Sequence, residues 1–226
     1  MLKHDMTKRG AGLKNDHENS VQKEYAHLAQ KYDDKWSFYV EATLQKTLKK
    51  IELHSGEHLL DIGCGTGALL AAIEKRYPDA VLAGVDPTQE MLDIAGNRLS
   101  KKVHIKRSWA ERLPFDTETF DVIVFCSVFH YIREPLLALK EVVRVLKPTG
   151  RVVITDWCDD YITCQICDLF LRVFNKAHFK TYRKKEFYQL LSSSGFFDDI
   201  EINGYKVNWF WGMMTATACK KSNVKR

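Results

Sequence analysis

With 226 residues, 45% hydrophobic and 28% charged, the chain has the balance of a soluble globular protein and length enough for a full core. That composition excludes a disordered, collagen-like or coiled-coil chain, and no apolar run reaches the ~20 residues a membrane span needs. The formal charge of +5 is spread along the sequence, Met1–Ser20 lacks the apolar centre of a secretory signal, and the six cysteines are expected to be reduced thiols in a cytoplasmic protein.

Taken in chain order, residues 1–20 show no hydrophobic periodicity and are expected to form a flexible tail, leaving 21–226 as one domain. Tyr25, Leu28, Ala29, Tyr32 and Trp36, then Phe38, Val40, Leu44 and Leu48, recur at helical spacing and predict a helical region in two pieces. A strand–helix alternation follows. Strands are predicted at His58–Ile62, Ala80–Val85, Val103–Ile105, Phe120–Cys126 and Arg151–Thr155. Helices are predicted at Thr66–Arg76, from Pro87 onward, and at Pro135–Leu146, with a turn at Pro148-Thr149-Gly150. This alternation implies a parallel sheet with helices on both faces. Trp157 to about Thr181 is long for a crossover and reads as a helical cap (about 157–182). A second helix is predicted over Lys185–Ser193, then strands Ile200–Tyr205 and Trp211–Cys219 as a closing antiparallel pair.

The run Leu59-Leu60-Asp61-Ile62-Gly63-Cys64-Gly65-Thr66-Gly67 lies where the first strand turns into a helix. Glycine there permits a tight turn and lets backbone approach a ligand closely. A glycine loop alone also fits a plain structural turn. Two carboxylates narrow the reading. Asp61 at the mouth of the loop would repel a pyrophosphate and attract an ammonium. Asp86 ends the second strand, where an acidic residue grips ribose hydroxyls. A nucleoside carrying a cation satisfies both.

These residues, with Val85-Asp86-Pro87, Ala110-Glu111-Arg112-Leu113-Pro114-Phe115, Phe120-Asp121-Val122-Ile123-Val124 and Leu146-Lys147-Pro148-Thr149-Gly150-Arg151, resemble the motifs of the class I S-adenosylmethionine-dependent methyltransferases. The similarity is to the type 11 group that includes ubiquinone/menaquinone C-methyltransferases, and it runs from about Tyr25 to Lys220. The resemblance implies an α/β fold: a doubly wound Rossmann-like seven-stranded sheet with an antiparallel last strand and a helical cap. It implies S-adenosylmethionine as cofactor, held by Asp61, Gly63, Cys64, Gly65 and Gly67 of the loop, by Asp86, Pro87 and Met91, by Trp109, Ala110 and Glu111 along the adenine, and by Cys126. Trp109 stands where relatives carry a small acceptor, and its indole can only donate, so stacking on the ring is expected instead. Tyr25 and Tyr32 match a Tyr-x6-Tyr pattern on a helix that folds over the cofactor.

Ligands of such sheets sit beyond the carboxyl ends of the strands. His130, following the fourth strand, is the candidate general base, because imidazole titrates near neutrality. Phe129, Tyr131, Trp157, Trp209 and Trp211 are the candidates to wall an acceptor pocket, although an aromatic taken singly is more often a core residue. The sequence Cys126-Ser127-Val128 lacks the motifs of adenine-amino and cytosine-carbon methyltransferases and the acidic residue of a catechol-type metal site. The expectation is therefore a small-molecule methyl acceptor, with no nucleic-acid partner, no metal and no membrane span, in a monomer or homodimer. Protein, lipid or arsenite acceptors, a nicotinamide oxidoreductase and a non-catalytic cofactor-binding regulator are the alternatives. Cys164 and Cys167 stand at C-x-x-C spacing but lack a second pair, so packing is the expected role of the cap cysteines. Lys176, Lys180, Arg183, Lys184 and Lys185 form the densest basic group, read as a solvated helix face.

Overall fold

The computed structural model describes residues 16–31, 37–175 and 177–222. Helix α1 covers residues 16–28, and α2 Ser37–Leu48. Then come β1 His58–Ile62, α3 Ala68–Arg76, β2 Val81–Asp86, α4 Gln89–Arg98, β3 His104–Arg107, β4 Phe120–Cys126, α5 Pro135–Val145 and β5 Leu146–Trp157. The chain closes with α6 Ile162–Phe174, α7 Lys184–Ser193, β6 Phe197–Lys206 and β7 Gly212–Lys220. The seven strands lie in the order β3-β2-β1-β4-β5-β7-β6. All neighbouring pairs are parallel except those of β7, which runs antiparallel to both β5 and β6.

Alternation along each central strand feeds two separate cores. Leu60, Ile62, Ile123 and Phe125 meet α5 and α7 through Leu139, Val142, Phe187 and Leu191. On the other face, Leu59, Val122 and Val124 meet α2, α3 and α4 through Leu44, Leu70, Ile73 and Leu92. Because both faces are covered, these strands are nearly continuous in apolar residues, as parallel strands are. The strand order reverses between β1 and β4, and that switch opens a crevice above their carboxyl ends.

Several expectations need correction. Residues 16–20, expected in the tail, are helical, and His17 and Val21 are buried. His17, Val21, Tyr25 and Leu28 follow helical spacing across the expected boundary, which hid the signal. The fifth strand starts at Leu146, before the expected turn. Its pairing jumps from Phe120–Leu146 to Val122–Arg151, so the Pro148–Gly150 residues are absorbed as an irregularity within the strand. The cap is helical only to Phe174. Asn175 Oδ1 accepts the Ala177 and His178 N–H groups, which halts the helix, and 177–182 is a non-helical strap. Asp168 fastens that strap by accepting the Thr181 N–H at 2.8 Å and pairing with His178 Nε2 at 2.8 Å. Trp157, expected to open the cap helix, ends β5. Tyr32, Trp36 and Lys176 lie outside the described residues.

Candidate functional site

The crevice at the β1–β4 switch deepens into a cleft of about 1280 Å³, measured out to its open mouth. Its floor is the loop from Asp61 to Thr66, its far side is Asp86 to Met91, and Ser108 to Glu111 forms one edge. Cys126, Ser127, Val128 and Tyr131 line the side nearest β4, and α1 closes the top with His17, Val21 and Tyr25.

The loop is shaped by positive φ. Gly63 has φ 74° and Gly65 φ 51°, conformations that side chains with a Cβ avoid. A Cβ on Gly63 would also meet Val128 at 2.5 Å. Val128 comes so close because Ser127 is itself left-handed (φ 61°) and turns the chain back from the end of β4. Gly67, also left-handed at φ 77°, caps α3 and packs toward Ala95 and Leu99; it does not line the cleft.

Asp86 locks the two halves of the floor together. Its Oδ2 accepts the Gly65 N–H at 3.0 Å and its Oδ1 the Thr88 N–H at 2.9 Å. Burial nevertheless raises its pKa to about 6, against the lowering effect of those bonds. Asp61 is 1% exposed and its Oδ1 has no hydrogen-bond partner among the described residues. Burial first, then the charge of Asp86, raises its pKa to about 7. Two neighbouring buried carboxylates, one of them with an unpartnered oxygen, favour a cationic ligand, which would lower both pKa values and take up that oxygen.

The lid over this cleft is α1. His17 Nε2 donates to the Tyr131 carbonyl at 2.9 Å, Gln22 donates to the Pro87 carbonyl at 3.1 Å, and Tyr25 meets the Tyr131 ring edge-on at 5.4 Å. Tyr25, Asp61, Gly63, Cys64, Gly65, Asp86, Pro87, Met91, Trp109, Ala110, Glu111 and Cys126 are thus brought to one cleft. Burial pushes the Cys126 thiol up to about 12 and the Cys64 thiol well above its ordinary value, so both are neutral lining groups.

Of the residues expected around the acceptor, Tyr131 alone lines the cleft. Phe129 is fully buried and packs edge-on against Phe125 and Phe187, a core residue where a pocket wall was expected. The tight turn at 129–131 sends its ring inward and that of Tyr131 outward. Trp209 is 82% exposed in the β6–β7 connection, away from any wall. Trp157 and Trp211 do meet, edge-on at 4.4 Å, beneath α6.

His130 lies directly behind Tyr131. It is buried, stacks on Trp157 at 4.9 Å, and its Nδ1 is 2.6 Å from Asp156 Oδ1. Asp156 Oδ2 also accepts the His130 backbone N–H at 2.9 Å, so ring and backbone are held by one carboxylate. His130 Nε2 has no hydrogen-bond partner among the described residues. Beyond it lies His178, with ring centroids 5.6 Å apart, and the strap is tied on by Phe179 and Lys180 N–H groups donating to the His130 carbonyl. Sequence reasoning missed Asp156 and His17. An acidic residue ending the strand beside that of His130 was a usable signal for Asp156.

Residues 60–154 match a family profile described as a methyltransferase domain. The chain is 31% identical over 144 residues to a demethylmenaquinone methyltransferase of Lactobacillus johnsonii, covering 61% of this chain and 57% of that one. It is 28% identical over 194 residues to the Staphylococcus aureus protein of the same name, covering 79% and 80%. In the first three curated relatives the match spans about half of the relative, 57%, 41% and 53% of its length. A solved S-adenosylmethionine-dependent methyltransferase of Thermotoga maritima superposes with a TM-score of 0.73 at 19% identity, over 89% of this chain and 100% of that one, and so shares the fold.

Proposed function

We propose that this chain is a class I S-adenosylmethionine-dependent methyltransferase of the type 11 group and that it methylates a small-molecule acceptor. The observation that carries the reading is the pair Asp61 and Asp86: two buried carboxylates raised to about 7 and about 6 around a left-handed glycine loop. They suit S-adenosylmethionine, whose ammonium and sulfonium are cationic and whose ribose offers two hydroxyls. A nicotinamide dinucleotide would bring its pyrophosphate against Asp61. Asp86 would hold the ribose, Asp61 and the loop amides the amino-acid end, and Trp109, Ala110 and Glu111 the adenine edge, with α1 excluding water.

Bound there, the cofactor supplies an electrophilic methyl group, and the protein's contribution is alignment of the nucleophile with it. His130 is the proposed general base. Asp156 keeps the Nδ1 proton in place, which leaves the Nε2 lone pair to accept a proton from the acceptor. Reaching Nε2 requires the strap or the Tyr131 side to shift, because the imidazole lies behind the cleft lining. The demethylmenaquinone methyltransferases among its relatives support a small, partly apolar acceptor, and a cytoplasmic monomer or homodimer is the proposed setting. No helix among the described residues is long and apolar enough to cross a membrane.

Transfer of tritiated methyl from S-adenosylmethionine into cell extracts, fractionated by size and polarity, tests the proposal. Label in a small-molecule fraction that disappears with Asp86→Ala is expected. Label confined to protein or nucleic acid would overturn the acceptor class, and none at all the enzyme reading.

A further inference from the structure

Two buried imidazoles meet behind Tyr131, and each is held by a carboxylate on one side only. His130 Nδ1 lies 2.6 Å from Asp156 and His178 Nε2 lies 2.8 Å from Asp168. A carboxylate accepts hydrogen bonds, so the partnered nitrogen of each neutral ring carries the hydrogen and the other is left with a lone pair. Those other nitrogens, His130 Nε2 and His178 Nδ1, are buried and have no hydrogen-bond partner among the described residues. The two residues are 2% and 6% exposed, and their ring centroids are 5.6 Å apart. Trp157 lies beside both, at 4.9 and 6.0 Å, and Tyr131 meets His178 edge-on at 6.4 Å. Two buried acceptors left unpartnered cost free energy that a ligand carrying donors would recover.

The surrounding charges select that ligand. Asp156 is ion-paired with His130, and no Lys or Arg among the described residues joins it. Asp168 is matched by Arg172 at 2.6 Å as well as by His178. The adjoining cleft is negative although the chain is positive overall, for Glu18, Asp61, Asp86, Glu111 and Glu134 line it against Arg133. An anionic acceptor would be repelled along that route. A hydroxyl offers one hydrogen to two lone pairs, and a carbon acid offers none. A metal ion is not served either, since no group of three His, Cys, Asp or Glu among the described residues is placed to hold one. A primary or secondary ammonium carries hydrogens enough for both nitrogens, and the rings of Trp157 and Tyr131 suit its charge. We propose that the acceptor is a primary or secondary amine, held through its N–H groups by His130 Nε2 and His178 Nδ1 and methylated on nitrogen.

Such an acceptor presupposes the methyltransferase reading and the same movement of the strap or the Tyr131 side that uncovers His130. The ammonium gives one proton to His130 Nε2, and Asp156 stabilises the imidazolium. The freed nitrogen lone pair forms the new N–C bond as the C–S bond breaks, and the electron pair of that bond stays on sulfur as a thioether. A methylated ammonium leaves, and the proton on His130 returns to solvent. His178 holds the remaining N–H and so aims the nitrogen lone pair at the methyl group.

Selective acetylation tests the amine. The small-molecule fraction of a cell extract is treated with sulfosuccinimidyl acetate to cap amines, then with hydroxylamine to free acetylated hydroxyls, and a second portion receives hydroxylamine alone. The full chain and tritiated-methyl S-adenosylmethionine are added afterwards. The expected result is label that a cation exchanger retains in the uncapped portion, with near-complete loss after capping. Label that survives capping would overturn the amine and leave the enzyme reading intact, whereas no label in either portion would overturn both. A second arm reads the two rings. With S-adenosylhomocysteine bound, benzylamine should shift the ring-nitrogen NMR resonances of both His130 and His178, and benzyl alcohol and phenylacetate should leave them in place. A shift of His130 alone, no shift at all, or equal shifts with phenylacetate would overturn the paired site.

Discussion

The proposed cofactor cleft and the proposed acceptor side share one sheet edge yet are built differently. The cleft floor comes from one contiguous loop, Asp61 to Thr66, latched by Asp86 a single strand away. The acceptor side is assembled from His130, Asp156, Asp168, His178 and Trp211, contributed by a turn, a strand end, a helix, a strap and a connection. Backbone geometry makes the first, since left-handed glycines and amide donors serve there whatever surrounds them. Side-chain hydrogen bonds between distant elements make the second.

Mutations should separate the two regions. The largest effect is expected at the acceptor side: His130→Gln should lower turnover by about 10²–10⁴, the usual contribution of a general base, with cofactor affinity within a few-fold. Asp156→Asn should lower turnover in the same assay, because it removes the carboxylate that orients Nδ1 and the His130 backbone. A His130→Gln enzyme with full turnover would reduce His130 to packing.

Trp157→Ala should cost about 3–5 kcal/mol of unfolding free energy, as expected for truncating a buried indole. Trp209→Ala should stay within about 0.5 kcal/mol, as expected for an exposed one. Denaturant titration reads both. Comparable losses at the two positions would mean that the β6–β7 connection is not the exposed turn described.

Asp86→Ala should weaken S-adenosylmethionine binding by about 1–3 kcal/mol, since charge-assisted hydrogen bonds are lost. Calorimetry checks this, and an unchanged affinity with intact circular dichroism would remove the ribose role.

A smaller effect follows from titration. Asp61 and Asp86 have folded-state pKa values of about 7 and about 6, above the ordinary 3.8. The folded state therefore binds more protons than the unfolded one between pH ~4 and ~7, and their contribution to stability falls as pH rises through that window. Asp168 acts oppositely: its pKa, brought to about 2 by His178 and Thr181 despite burial, adds stability that is lost as pH falls below ~4. Thermal unfolding of wild type against Asp61→Asn across pH 4–7 isolates the first effect. The advantage of the variant should grow with pH, and a constant difference would contradict the raised pKa.

How much of this was legible in sequence follows the same division. Strand–helix alternation is local and led to the sheet, and the cofactor residues that the loop, its acidic partner and the family resemblance named all line the cleft among the described residues, except Gly67, which caps α3 instead. Aromatic content did not tell an inward ring from an outward one: Phe129 went to the core and Trp209 to the surface. The helical signal of 157–181 overran Asn175, whose side chain stops the helix by taking two backbone N–H groups. His17 was assigned to a tail because its neighbours Asp16, Glu18 and Asn19 are polar, although its ring closes onto Tyr131 across 114 residues.

The claim on which the account rests is that Asp61 and Asp86 are partly protonated until a cation enters the cleft. Calorimetric titration with S-adenosylmethionine near pH 6.5, repeated in buffers of different ionisation enthalpy, tests it directly, with NAD as the comparison ligand. The account predicts tight binding with release of protons as both carboxylates ionise, abolition of most of that release in Asp61→Asn, and far weaker binding of NAD. Binding without proton release, or tighter binding of NAD, would contradict it.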